Sequence, residues 1–118
     1  MSTSEIAADF VALCKAGKFG EAGEKYWADD VVSIEAMGDN AEMRGKEAAR
    51  AKGEWWVNAH EIHSVEVAGP YVNGSQFGVR FTLDVTNKES GQRMAMDEVG
   101  VYTLVDGKIS EERFFYGT

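Results

Sequence analysis

Two acidic residues stand in stretches that otherwise read as apolar strand: Glu35 in VVSIEAMG and Glu98 in MAMDEVGVY. A carboxylate among Val, Ile and Met is either solvated on an exposed face or held in a pocket, where it can take up and release a proton. In the second case Glu35 can serve as a general base and Glu98 as a second acid. If Met94, Met96, Gly100, Tyr102 and Leu104 face the cavity, strand alternation places Glu98 inside with them and Asp97 outside. The two histidines lie in HEIHS, three residues apart at a junction between helical and strand periodicity. A helical zinc pair needs four-residue spacing, so no metal site is expected. His63 falls across from Asp84 if the intervening hairpin keeps simple register, which makes it a third catalytic candidate; the plainer alternative is a surface His satisfied by a carboxylate. The sequence holds no Gly-rich phosphate loop, Ser-His-Asp set or Cys-His pair, and no cofactor is expected.

The elements that must position these groups follow from hydrophobic periodicity. Ser2 and Glu5 have capping-box spacing, and Ile6, Phe10, Leu13 and Cys14 then form one apolar stripe, predicting a helix over 4–16. KFGEAGEKYWADD carries a second apolar face of Phe19, Ala22, Tyr26 and Trp27, a short helix weakened by Gly20 and Gly23. A strand over 31–37, a turn in GDNAEMRG and a third helix in KEAARAKGEWWVNAH follow, the last with Ala48, Ala51, Trp55 and Ala59 on one face. From His63 the period changes to two, with strands near 63–72, 75–86, 92–105 and 108–116. Asn73-Gly74 and Asp106-Gly107 read as tight hairpin turns and NKESGQ as a longer one. Helices followed by strands predict one α+β domain over 1–118: a cone-shaped, curved antiparallel sheet covered by three helices from the N-terminal half, open at one end as a pocket.

Charge narrows the partners. Twelve basic against twenty acidic residues give a net charge of −8 with no basic stripe, which disfavours nucleic acid. No run approaches the roughly 20 apolar residues of a membrane span, and MSTSEIAADF lacks the basic and apolar segments of a secretory leader. The single cysteine, Cys14, cannot close a disulfide within the chain and shares a helical stripe with Ile6 and Phe10; it reads as a small buried hydrophobe, and the chain as cytoplasmic.

KFGEAGEKYWADDVVSIEAMG, continuing to RGKEAARAKGEWW, resembles the opening of the nuclear transport factor 2-like superfamily, which includes SnoaL-like polyketide cyclases, limonene-type epoxide hydrolases and ketosteroid isomerase. EVGVYTLVDGKISEERFFY resembles its closing hairpin. The resemblance implies the cone fold and a homodimer through the sheet, which an uncovered apolar strand face would also require. It sets Glu35, three residues before Gly38, in the place of the isomerase's proton-shuttling base. The isomerase's two oxyanion donors match Phe10 and Gly100, which have no donor to offer, so steroid isomerisation itself is disfavoured; Tyr102, Tyr26, Tyr116 or a Trp indole are the alternatives. The facing of the last strand stays open. Alternation through the Asp106-Gly107 turn turns Ile109, Glu111, Arg113 and Phe115 inward, the resemblance turns Phe114 and Tyr116 inward, and a β-bulge would reconcile the two.

Two functions fit these residues. One is a cofactor-free acid/base enzyme of isomerase or cyclase type acting on a small, mostly apolar carbonyl compound, with Glu35 as base, Glu98 or His63 as second group, and Phe10, Tyr26, Trp55, Trp56, Tyr102, Phe114 and Tyr116 gripping the substrate. Trp55 and Trp56 are adjacent on one helix, so only one of them can face inward. The other is a module of the same fold that binds a small ligand or a protein without chemistry.

Overall fold

The computed structural model describes residues 1–38 and 41–117. Among them are three helices and six strands, in the order α1 (Thr3–Lys15), α2 (Phe19–Tyr26), β1 (Trp27–Ile34), β2 (Glu42–Arg44), α3 (Lys46–Ala59), β3 (His60–Asn73), β4 (Gln76–Asn87), β5 (Arg93–Val105) and β6 (Lys108–Phe115). The strands form one curved, unclosed sheet in the order β2-β1-β6-β5-β4-β3. All neighbours are antiparallel except β1 and β6, which run parallel. None of the described helices is long and apolar enough to cross a membrane.

Local chemistry accounts for most of the boundaries. Both halves of the α1 capping box form: the Ser2 hydroxyl accepts the Glu5 N–H at 3.1 Å and the Glu5 carboxylate accepts the Ser2 N–H at 3.0 Å. The helix buries Ile6, Ala7, Phe10, Val11 and Cys14. Under the helices, β4 contributes Phe77, Val79, Phe81, Leu83 and Val85, all buried in the core. The outer face of the same strands is charged, with Arg80 paired to Asp97 at 2.6 Å and Arg93 to Asp84 at 2.7 Å. The apolar strand face is therefore covered within the chain, and it no longer argues for a second subunit.

Several expectations shift. The first strand starts at Trp27, so Trp27 leaves the helical face assigned to it and Glu35 lies one residue beyond the strand's end. Of the expected turn GDNAEMRG, Asp39 and Asn40 lie outside the described residues, while Glu42–Arg44 pairs with β1 as β2. The inner face of α3 is one residue over from the expected one: Ala49 is buried, Lys52 and Trp56 are partly buried, and Trp55 is 66% exposed. The Asp106-Gly107 turn has both residues at positive φ, as a type I′ hairpin requires. At the other hairpin Asn73 pairs with Gln76, so the loop is Gly74-Ser75, with Gly74 alone at positive φ.

Gly23 in α2 has a packing role that helix propensity conceals. A Cβ built there would lie 2.4 Å from the Trp27 ring, so the indole lies against the bare helix backbone, whereas a Cβ on Gly20 meets nothing within 4 Å. Gly20→Ala should leave stability unchanged or raise it by up to about 1 kcal/mol, and Gly23→Ala should lower it by about 1–3 kcal/mol through overpacking. Urea-unfolding midpoints of the two variants measure the opposite signs.

Candidate functional site

Strand register brings the acids to one place. Glu98 pairs with Phe81, whose side chain is in the core, so Glu98 faces the helices. In the last hairpin Thr103 pairs with Glu111 but Leu104 with Ile109, and the unpaired Ser110 is a bulge. Beyond it parity reverses. Glu112 lies across from the buried Tyr102 and Phe114 across from Gly100, both inward, while Arg113 and Phe115 are exposed. The parallel pairing of β1 with β6 then sets Ser33 beside Glu112.

These residues form a connected polar network beneath α3. The Trp27 indole N–H donates to Glu112 Oε1 and the Ser33 hydroxyl to Glu112 Oε2, each at 2.7 Å. Lys52 Nζ donates to Ser33 Oγ, stands 2.8 Å from Glu35 Oε1, and lies 5.1 Å from the centre of the Phe114 ring. The direction of these bonds is fixed by chemistry: indole and ammonium only donate, so Ser33 must accept from Lys52 and pass its own proton to Glu112. Both Glu112 oxygens accept, the pattern of an ionised carboxylate. Ser33 is fully buried and Glu112 is 5% exposed.

Glu98 completes the group. Burial first, and then the Glu35 charge, push its carboxyl from the ordinary 4.5 up to about 7, against an opposing pull from Lys52. Tyr116 is raised by burial and by the charge of, and a hydrogen bond to, Glu35. Tyr102 is pushed well up by complete burial and then by Glu112; the Cys14 thiol is pushed up to about 12 by burial and the same carboxylate. An open cleft of about 530 Å³ reaches Glu98 past Ala36, Tyr116 and Gly117, with Arg80 and Asp97 on its outer side. It lies where β6 has ended, beyond the Val99–Phe115 pair, and leaves the edge of β5 uncovered.

The structure thus brings together Glu35, Glu98, Phe114 and Tyr116. Tyr102 and Phe10 lie deeper, 2% and 4% exposed, with ring centres 4.7 Å apart, and form the floor of the cone. A Cβ on Gly100 would meet the Tyr102 hydroxyl at 2.9 Å, so that hydroxyl occupies the space a side chain at position 100 would need. Tyr26 is buried, and its hydroxyl donates outward to Asp9. Trp56 stacks on His60 at 4.5 Å and packs against the core; Trp55 does not line the site. His63 is also elsewhere. It is bulged out between Ile62 and Ser64, exposed, and 2.7 Å from the Thr86 hydroxyl, while Asp84 sits opposite Ser64 and pairs with Arg93. Sequence reasoning missed Trp27, Ser33, Lys52 and Glu112. The spacing Ala49, Lys52, Trp56 would have found the lysine, and the bulge would have found Glu112.

A carboxyl raised by folding favours the folded state below its unfolded value, and that contribution fades as pH climbs from about 4.5 to about 7. Glu98→Gln should remove this slope. Thermal unfolding should show the variant matching the wild type near pH 4 and exceeding it near pH 8 by at most about 3 kcal/mol.

The family described as SnoaL-like domain matches residues 1–116. A structure from Mesorhizobium loti, provisionally named a SnoaL-like polyketide cyclase and, in brackets, carbohydrate phosphatase, is 56% identical, with a TM-score of 0.96 over 98% of this chain and 100% of that one. One from Jannaschia sp. CCS1, with the same provisional cyclase name, is 21% identical, with a TM-score of 0.74 over 92% of this chain and 83% of that one. A provisionally named isomerase from Bacillus subtilis is 19% identical, with a TM-score of 0.75 over 99% and 90%. The last two speak for the fold alone. No curated protein matches the sequence. With the family matched over nearly its whole length, and a relative of the same description sharing more than half of its residues, the chain belongs to the SnoaL-like domain family of nuclear transport factor 2-like fold.

Proposed function

We propose that the protein is a cofactor-free acid/base catalyst that moves a proton on a small, uncharged, mostly apolar carbonyl compound held in the cleft. One observation carries this reading: Glu98, its carboxyl pushed up to about 7, stands within electrostatic reach of Glu35, which is paired to Lys52 at 2.8 Å. Two neighbouring carboxyl groups with different environments can divide the work, one as base and one as proton donor. Glu35 removes a proton next to the carbonyl, and protonated Glu98 returns one or holds the developing enolate oxygen. Lys52 offers its charge to the same enolate, and the Tyr116 hydroxyl, which feels the Glu35 charge, is a further donor. Two carboxylates, Glu35 and Glu112, around one lysine leave the site a net negative charge, so an uncharged ketone suits the cleft better than a phosphate or carboxylate.

A second reading, a binding module without chemistry, is favoured by the filling of the deep cone: the rings of Phe10, Phe77 and Tyr102 pack together there, with centres 4.7 to 5.7 Å apart. The expected homodimer would use the outer sheet face, where the paired Val99 and Phe115 are 38% and 52% exposed; sedimentation across a concentration series should then show a mass that rises to twice that of the chain.

Deuterium exchange next to the carbonyl of a panel of small enolisable ketones, followed by proton NMR, separates the readings. A catalyst exchanges a preferred ketone faster than buffer does, slows as pH rises through about 7, and loses about 10²-fold or more on Glu35→Gln. A module binds a ketone, seen as shifted resonances, without exchanging it.

A further inference from the structure

The network behind Lys52 is more than the pairing of acid and base requires. Lys52 reaches the acids from α3 on a long, flexible side chain, and 17% of that side chain is exposed. Its ammonium could swing between Glu35 and solvent unless held from behind. The group behind it is Ser33, fully buried on β1, and behind Ser33 is Glu112, whose two oxygens are taken by Ser33 and Trp27. A serine hydroxyl can rotate to offer either its proton or a lone pair. Here Glu112 takes the proton, which leaves only the lone pairs for Lys52.

We propose that Glu112 is a positioning residue of the site: through Ser33 it fixes the Lys52 ammonium against the Glu35 carboxylate. It is not a catalytic group: it does not line the cleft, it is 5% exposed, and both its oxygens are engaged by Trp27 and Ser33. A carboxylate is needed because both partners donate to it. A carboxamide would present its NH2 either to the Trp27 N–H or to the Ser33 hydroxyl, and the second arrangement leaves the Ser33 proton without an acceptor. The charged and titratable groups around Lys52 and Glu98 are Glu35 after β1, Glu112 on β6, Tyr102 on β5, Tyr116 after β6 and, deeper on α1, Cys14. Lys52 is the cation that lowers Glu98, so loosening it should let Glu98 rise further.

The inference concerns the same site as the proposed function, and its test needs no substrate, so the two can fail separately. In protein labelled with nitrogen-15 and carbon-13, a held ammonium shielded from exchange gives a Lys52 Nζ–H cross-peak, and the Glu98 carboxyl carbon reports its titration midpoint. The wild type should show the cross-peak. Glu112→Leu, which removes both acceptor oxygens, and Ser33→Ala should each lose it and move the Glu98 midpoint upward, and the double variant should move it no further than either single one, as members of one chain do. A purely structural Glu112 would give a different result: Glu112→Leu would displace the Trp27 indole resonance while the Lys52 cross-peak and the Glu98 midpoint stayed at wild-type values, and the proposal would be wrong. If Glu112→Leu does not fold, Ser33→Ala decides, because a retained cross-peak there overturns the link. Absence of the cross-peak from the wild type overturns it as well.

Discussion

Lys52 is one cation among three inward-facing carboxyl groups, and the site follows from how its charge is divided. It meets Glu35 directly and Glu112 through Ser33, and it acts on Glu98 only through space. Ionised side chains leave water at a cost of several kcal/mol each unless paired. Two of the acids have bonded partners; the third has burial and a like charge against it. Glu98 therefore keeps its proton up to about pH 7. Burial and the Glu35 charge outweigh the pull of the lysine on Glu98 and leave a neutral acid beside a charged one, which is the condition for proton transfer.

The scaffold serves this division at several removes. Gly23 leaves α2 bare so that the Trp27 ring can lie across it, and from there the indole reaches Glu112. The Ser110 bulge turns Glu112 and Phe114 inward, where regular pairing would have exposed them. The parallel contact of β1 with β6 sets Ser33 beside that carboxylate. The end of β6 at Phe115 opens the cleft that exposes Glu98. Each is a departure from regular geometry, and they converge on the same few side chains, as expected where function competes with regular structure.

Much of this was legible in the sequence. The capping box of Ser2 and Glu5, the alternation from Phe77 to Val85 and the Asp106-Gly107 turn are local signals, and local signals specify helices and hairpins well. Glu35 and Glu98 stood out because an acid in an apolar strand needs a reason, and the structure sets both on the inner side of the sheet. What stayed hidden depended on register. One bulge at His63 moved that side chain from an expected Asp84 partner to Thr86 on the outer surface, and another at Ser110 reversed a whole strand. Lys52 was hidden because a charged residue on a helix reads as solvated; its direction was set by α3 packing one residue over from the alanine face.

The central claim is that Glu98 holds its proton near neutral pH because burial, and after it the Glu35 charge, outweigh the pull of Lys52. The direct measurement is the carbon-13 titration of the Glu98 carboxyl in the wild-type protein, with Glu98→Gln identifying the resonance. The account predicts a midpoint near 7. A midpoint at the ordinary 4.5 would mean that Glu98 is as solvated as a surface acid, and that the pair of Glu35 and Glu98 is not an acid and base.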